Sequence, residues 1–164
     1  MGISYVYVPV SASTLKLLQE DPESAEALFY PDDDGGPEGE FDVDKAWHGL
    51  HYLLTGTADG GEPPIAWAIL GDEELGADLG MGGSNFLTPE QVREVAAALA
   101  DFTEDELRQN FNPEQMQAFG IYPDIIWMRD GQDALDYVMH HFRPLVEFYA
   151  QTAARGEGLV IYAT

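Results

Sequence analysis

The chain has 164 residues, no cysteine, and 30 acidic against seven basic residues, which gives a formal net charge of -23. Such a charge repels nucleic-acid phosphates and anionic lipid surfaces, and no apolar run approaches the ~20 residues that span a bilayer. The lack of cysteine also excludes disulfides, catalytic thiolates and zinc–thiolate sites, so we expect a single cytoplasmic domain over residues 1–164 that binds neither nucleic acid nor membranes.

The N-terminal part of the chain predicts one strand followed by short helices. β-Branched and aromatic residues favour a strand over residues 3–10, and Ser11 or Ser13 can cap the next helix. Asp42 is the expected N-cap of a longer helix that ends at Gly56, because glycine commonly terminates helices. The Asp21–Pro22 pair predicts a helix at residues 22–29, and Pro63–Pro64 predicts one at 65–70. The helix bounded by Asp42 and Gly56 covers residues 42–55.

An acidic stretch separates the helices predicted at 22–29 and 42–55. Residues 20–44 contain eleven acids and no base, and the triplet Asp32–Asp34 precedes a Gly/Pro-rich run. The composition is typical of a solvated acidic surface loop over residues 31–41, and it would also suit a docking surface for a basic partner or adaptation to high salt. An EF-hand calcium loop is disfavoured, because the alternating ligand spacing and the closing glutamate are missing.

Three capping patterns give the clearest boundaries in the second half of the chain. Thr88, Thr103 and Asn112 each stand three residues before a Gln or Glu, which predicts three successive helix starts. A glycine-rich loop at 76–83 leads into an extended segment at 84–87. The glycines of a phosphate-binding loop follow a strand and open a helix, whereas these glycines precede the extended segment, so the pattern does not fit such a loop.

The end of the chain predicts the longest helix and a last strand. Asp130 with Asp133 should cap a helix over about 131–155 that Pro144 bends or breaks, and residues 159–162 should form a strand. The expected fold is therefore a single compact α/β domain, helix-rich and on the border of α+β, with a small mixed sheet that includes both chain termini and is surrounded by several helices.

The string from Asp42 to Gly56, with the pattern DxDKxWxxLHxxLTG, resembles the signature of the YfbM-like family, a bacterial domain of unknown function. Asn110–Phe111, the run Gly120–Pro123 and the C-terminal helix and strand fit the same pattern, so the resemblance covers essentially the whole chain. It implies a compact α/β domain of about this length, and it implies no chemistry, so no catalytic residue is carried over. The acidic segment fits the family pattern least well and resembles an insertion.

The helix predicted at 42–55 carries the densest set of candidate ligands. Asp44, His48 and His51 stand at i, i+4 and i+7, so a carboxylate and two imidazoles could face one ligand, form an acid–base relay or bind zinc. The other interpretation is structural, since His51 borders an apolar stripe and should be partly buried with one nitrogen bonded. We favour the structural role for His51, place His48 on the wetter flank, and predict no metal site.

Aromatic residues suggest where a pocket could lie. Trp47, Trp67 and Trp127, with Tyr122 and Asp124 on the segment 121–127, could line a site for a flat or apolar ligand, although core packing is the more common explanation for such rings. No nucleophile motif, catalytic residue or cofactor is predicted. The leading hypothesis is a non-enzymatic binding module that presents an acidic face to a basic protein partner. The alternatives are a small-molecule enzyme or sensor whose pocket lies near helix 42–55 and segment 121–127, and a salt-tolerant domain whose acidity is only surface chemistry.

Overall fold

A computed structural model describes residues 2–31 and 35–164, so the predictions that rest on the triplet Asp32–Asp34 lie outside the described residues. The helices follow in chain order: α1 (Ala12–Glu20), α2 (Ser24–Phe29), α3 (Trp47–Thr55), α4 (Trp67–Leu70), α5 (Pro89–Ala100), α6 (Glu104–Gln109), α7 (Pro113–Ala118), α8 (Ile126–Asp130), α9 (Gln132–His140) and α10 (Phe142–Ala154). The strands are β1 (Tyr5–Val10), β2 (Phe41–Asp42), β3 (Glu73–Glu74), β4 (Ser84–Leu87) and β5 (Gly158–Ala163).

The two ends of the chain meet at the centre of one sheet. Its strand order is β2-β1-β5-β4-β3, and β1 pairs with β5 along its whole length, from Tyr5 opposite Ala163 to Val10 opposite Gly158. The helix-rich α/β class and the sheet built from both termini are therefore confirmed. All pairs of strands in this sheet are antiparallel, where the sequence analysis expected a mixed sheet.

Side chains alternate across the sheet and build a core on each face, as strand geometry requires. On one face Tyr7, Leu159 and Ile161 pack with α3, α5, α9 and α10 in the larger core. On the other face Val8 and Val160 pack with α1, α2 and the segment 75–79 in a smaller core. No helix in the described part of the chain is long and apolar enough to cross a membrane.

The capping patterns formed as predicted. The side chains of Thr88 and Thr103 each accept a hydrogen bond from the backbone N–H of the third helical residue, whose side chain in turn accepts one from the backbone N–H of the cap. Asn112 accepts from the backbone of Gln115 without the return bond. Ser11 caps α1 through the backbone of Thr14. These starts were predictable because cap and partner are three residues apart.

The helix expected from Asp42 begins five residues later. Asp42 ends β2, a short 3-10 turn covers Asp44–Ala46, and α3 starts at Trp47. Asp42 still acts as a local acceptor, because its carboxylate takes the backbone N–H of Asp44 at 2.6 Å. Asp44 has a left-handed backbone with φ 51°, which no α-helix tolerates, so the helix cannot extend back to Asp42.

The helix expected over 131–155 is two helices joined at His141. Pro144 lies in the first turn of α10, where its missing N–H has no helical partner to lose, and the break therefore precedes it. The cap predicted from Asp130 and Asp133 is absent, because Asp130 ends α8 beside Arg129 and Gly131 turns the chain with φ 51°. The helices predicted at 22–29 and 65–70 are present in shorter form as α2 and α4.

Candidate functional site

Trp47 begins α3 and attaches the start of the chain to it. Its indole Nε1 donates to the carbonyl oxygen of Ile3 at 2.9 Å. Its ring stacks on Tyr122, with centroids 5.7 Å apart, and on the neighbouring His48 at 4.5 Å. The hydroxyl of Tyr122 accepts a hydrogen bond from the backbone N–H of Ile3 at 2.8 Å. Two aromatic side chains therefore hold the segment that leads into β1.

His48 joins three segments through both nitrogens of its imidazole. Nε2 lies 2.8 Å from the carbonyl oxygen of Ala58, and Nδ1 lies 2.8 Å from the backbone nitrogen of Tyr122. Because a carbonyl only accepts and a backbone N–H only donates, these partners require a neutral ring with its proton on Nε2. Burial is the main cause that lowers the pKa of His48, in keeping with the neutral form. The half-buried ring is more exposed than His51, but neither of its nitrogens is free for a ligand.

His51 is buried on the same helix, with only 1% of its surface exposed. Its Nε2 donates to the carbonyl oxygen of Gly60 at 3.0 Å, and burial lowers its pKa. Its Nδ1 is a buried nitrogen without a hydrogen-bond partner among the described residues. The geometry agrees with the structural role expected for this histidine, which was to be at least partly buried with one nitrogen bonded.

Asp44 forms its side-chain hydrogen bonds with Tyr137 and Ser4 and not with either histidine. The hydroxyl of Tyr137 on α9 donates to its Oδ2 at 2.7 Å, and this bond is the main cause that lowers the pKa of Asp44. Ser4 lies 3.4 Å from Oδ1. The sequence analysis missed Tyr137, and no local signal could have found it, because the contact joins residues 93 positions apart.

The segment 121–127 divides its side chains between the core and the surface. Trp127 is fully buried and donates to the carbonyl oxygen of Ile121 at 2.8 Å. A Cβ at Gly49 would lie 2.9 Å from the Trp127 ring, so the glycine allows α3 to approach α8 closely. Asp124 is exposed to solvent.

The seven predicted residues therefore do not form one constellation. Trp47, His48 and Tyr122 stack together, while Asp44, His51, Trp127 and Asp124 face different neighbours. Within residues 2–31 and 35–164, no group of three or more His, Asp or Glu side chains is placed to hold a metal ion. The stacked trio acts as a clamp, because its polar atoms bond the backbone of Ile3, Ala58 and Tyr122 itself.

Several grooves of about 380–450 Å³ lie elsewhere on the surface. One lies between β1, α2 and Pro37, and another lies between α4 and α5 beside Trp67. None of the seven residues lines any of these five grooves. Trp67, which the sequence analysis grouped with Trp47 and Trp127 as a candidate pocket residue, lines the groove between α4 and α5, which the other two do not line.

Comparison with known proteins agrees with the fold and assigns no chemistry. The family described as a domain of unknown function (DUF1877) matches residues 1–162. Protein YfbM of Escherichia coli (strain K12) is 30% identical over 122 residues, which cover 70% of this chain and 71% of YfbM. The crystal structure of YfbM, titled as a protein of unknown function, superposes with a TM-score of 0.77 over 99% of both chains at 20% identity. The chain therefore belongs to the YfbM-like family, the domain of unknown function DUF1877.

Proposed function

We propose that this protein is a non-enzymatic binding module that engages a basic protein partner through an acidic face. The acidic face is the set of exposed carboxylates on α1, on α2 and on the segments after each: Glu20, Asp21, Glu23, Glu26, Glu38 and Glu40. It lies on the side of the sheet where α1 and α2 cover the smaller core.

The observation that carries the proposal is that no carboxylate of this face forms an ion pair with a described residue. The four ion pairs between described residues all lie between residues 104 and 157. All five arginines follow residue 92, and Lys16 is the only base before Lys45. Lys16 on α1 and Arg155, which lines a groove with Glu38, are the bases beside this face, and its six carboxylates outnumber them. The excess of carboxylates produces a negative potential that attracts a basic surface over several ångströms.

An apolar groove beside the acidic face supports the same interpretation. It has a volume of about 380 Å³ and includes Leu28, Phe29 and the buried Pro37, with Glu38 at its rim. Leu28 is 47% exposed. An apolar centre with a charged rim is the usual composition of a protein–protein interface. Charge would then speed the encounter, and the groove would supply buried apolar contact.

The alternative is a small-molecule enzyme or sensor near helix 42–55 and segment 121–127. One observation favours it, namely the buried and unpartnered Nδ1 of His51. A neutral imidazole with its proton on Nε2 offers a lone pair at Nδ1 that a ligand donor could fill. Ordered ligand density against Nδ1 in a crystal would favour this function over the binding module.

Neutralising the acidic face tests the main proposal. The face variant combines Glu20→Gln, Asp21→Asn, Glu23→Gln and Glu26→Gln. The control variant removes the same charge from exposed sites elsewhere, with Glu114→Gln, Asp124→Asn, Asp133→Asn and Glu147→Gln. Each protein is immobilised and exposed to a bacterial cell lysate at about 0.05 M and about 0.5 M NaCl. The higher salt concentration screens attraction between charges much more strongly than the lower one.

We expect wild type and the control variant to retain a basic protein at low salt, and the face variant to lose it. High salt should release that protein from both wild type and the control variant. The same set of captured proteins on both variants would contradict an acidic docking face, and capture that persists at high salt would contradict a charge-driven encounter.

A further inference from the structure

Trp67 lies in an open groove of about 450 Å³ between α4 and α5. Pro63 and Pro64 form one wall, and Ala97 and Ala98 of α5 form the other. The indole of Trp67 is partly buried and lines the groove between the two walls. The groove is on the larger-core side of the sheet, since Trp67 and α5 both pack against that core.

Trp67 differs from the other two tryptophans in its hydrogen bonding. The indole Nε1 atoms of Trp47 and Trp127 donate to backbone carbonyls at 2.9 and 2.8 Å. Trp67 Nε1 donates to no acceptor among residues 2–31 and 35–164, and it is not one of the buried unpaired atoms. A partly buried tryptophan with a free N–H donor is the kind of side chain that anchors interfaces.

Carboxylates mark both ends of the α5 wall. Glu94, Ala97, Ala98 and Asp101 follow at i, i+3, i+4 and i+7, so they share one side of the helix. Seven residues of helix place the two carboxylates about 10 Å apart along the axis. Neither carboxylate forms an ion pair with any residue that the structure describes. No basic side chain lines the groove, and the adjacent Arg93 is not part of its lining.

We propose that this groove binds an arginine side chain of an extended basic peptide. The guanidinium stacks on the indole of Trp67 and pairs with Glu94 or Asp101, and the indole N–H donates to a peptide carbonyl. Arginine suits the site better than lysine, because its planar group both stacks on aromatic rings and pairs with carboxylates through two parallel hydrogen bonds. The site lies on the opposite side of the sheet from the acidic face, so it does not depend on the proposed function.

The probe is the capped peptide Gly-Gly-Arg-Gly-Gly, followed by the ¹H–¹⁵N resonance of the Trp67 indole. The variant Trp67→Phe assigns that resonance. The same peptide with citrulline keeps the shape of arginine and lacks its charge. We expect a saturable shift of the Trp67 indole resonance with the arginine peptide and none with the citrulline peptide. The lysine peptide should bind more weakly than the arginine peptide.

Two double variants then locate the binding energy. Glu94→Gln with Asp101→Asn should raise the dissociation constant at least about threefold, the effect expected for exposed charge pairs. Glu114→Gln with Glu147→Gln removes the same charge outside the groove and should leave the constant unchanged. A citrulline peptide that binds equally well, or a groove variant that binds like wild type, would overturn the proposal.

The face variant separates this site from the acidic face. Its Trp67 shift and dissociation constant should equal those of wild type, even if it has lost its basic protein partner. Loss of the shift in the face variant would mean that overall charge, and not the groove, attracts the peptide. That result would remove the arginine site while leaving the proposed function intact.

Discussion

His48 and His51 each bond a carbonyl in the loop that follows α3. Nε2 of His48 bonds Ala58, and Nε2 of His51 bonds Gly60. Besides the two histidines, Thr55 also connects α3 to this loop, because its hydroxyl lies 3.0 Å from the hydroxyl of Thr57. The two rings therefore fix this loop against the helix, and His48 also fixes Tyr122.

Alanine at either histidine should lower the stability by a similar amount. His51→Ala removes a buried ring and leaves the Gly60 carbonyl unpaired, and His48→Ala removes two hydrogen bonds, so each loss should be about 1–3 kcal/mol. From the wetter flank expected for His48, the sequence predicts a much smaller loss there than at His51. The structure predicts a comparable loss instead, because both ring nitrogens of His48 are hydrogen-bonded. Urea unfolding of both variants and of wild type checks it, and losses below about 0.5 kcal/mol in both would contradict a structural clamp.

Removing metal should not change the melting temperature of wild type. The Nε2 atoms of both histidines face carbonyl oxygens and Asp44 faces Tyr137, so these three residues do not converge on one ion. Thermal melts with and without EDTA test this directly. A wild type whose melting temperature falls with EDTA, and two variants, His48→Ala and His51→Ala, whose melting temperatures do not, would contradict this expectation and indicate a metal site at these residues.

Stability should fall as the pH drops from about 7 to about 5, before most carboxylates begin to take up protons. Burial lowers the pKa of His48, His51 and His141. The unfolded chain then binds protons at an ordinary histidine pKa of about 6.5, while the folded chain resists them. This stability is present above the unfolded pKa and is lost as the pH falls through the lower folded values. Melting curves should show a smaller decrease for His48→Gln, and an unchanged wild type would contradict the neutral rings.

At the scale of single elements, the helix caps are local and the helix junctions are not. Thr88 and Gln91 exchange hydrogen bonds of 3.2 and 2.9 Å at the start of α5. Thr103 and Glu106 exchange bonds of 3.1 and 3.2 Å at the start of α6. Each cap satisfies backbone donors that the helix itself leaves unpaired.

Each cap should therefore contribute measurably to stability. Thr88→Ala and Thr103→Ala should each lower the free energy of unfolding by about 1 kcal/mol, since the hydroxyl acceptor is lost. Thr88→Ser and Thr103→Ser retain the hydroxyl and should remain close to wild type. Chemical unfolding of the four variants gives the answer, and equal values for alanine and serine would contradict a role for the hydroxyls.

The sequence predicted elements whose determinants lie a few residues apart. The strand at 3–10, the caps at Thr88 and Thr103, and the helix end at Gly56 belong to this group. The late start of α3 depends on the left-handed backbone of Asp44, whose side chain is held by a residue 93 positions away. Likewise, the bond between His48 and Tyr122 joins residues 74 positions apart, so the arrangement of the candidate site could not be predicted from local patterns.

For the whole molecule, charge is the dominant unbalanced quantity. The chain carries a net charge of -23, and each of the four ion pairs among described residues has at least one exposed partner. Exposed pairs contribute little to stability, so repulsion among the remaining carboxylates should oppose folding at neutral pH.

The melting temperature should rise with added salt near neutral pH. The screening length falls from about 30 Å at 0.01 M to about 8 Å at 0.15 M ionic strength, which weakens repulsion between distant carboxylates. Melts in increasing NaCl measure the effect. A flat or falling curve would mean that the carboxylates are paired locally or bind ions, and the argument from repulsion would fail.

The most direct test of an acidic docking face is the association rate with the basic protein that wild type captures. Stopped-flow mixing at low salt should show an association rate constant about tenfold lower for the face variant, with little change in the dissociation rate, because charge mainly steers the encounter. The control variant should associate nearly as fast as wild type, and salt should reduce the difference between the variants. Equal association rates for the face and control variants would contradict the account.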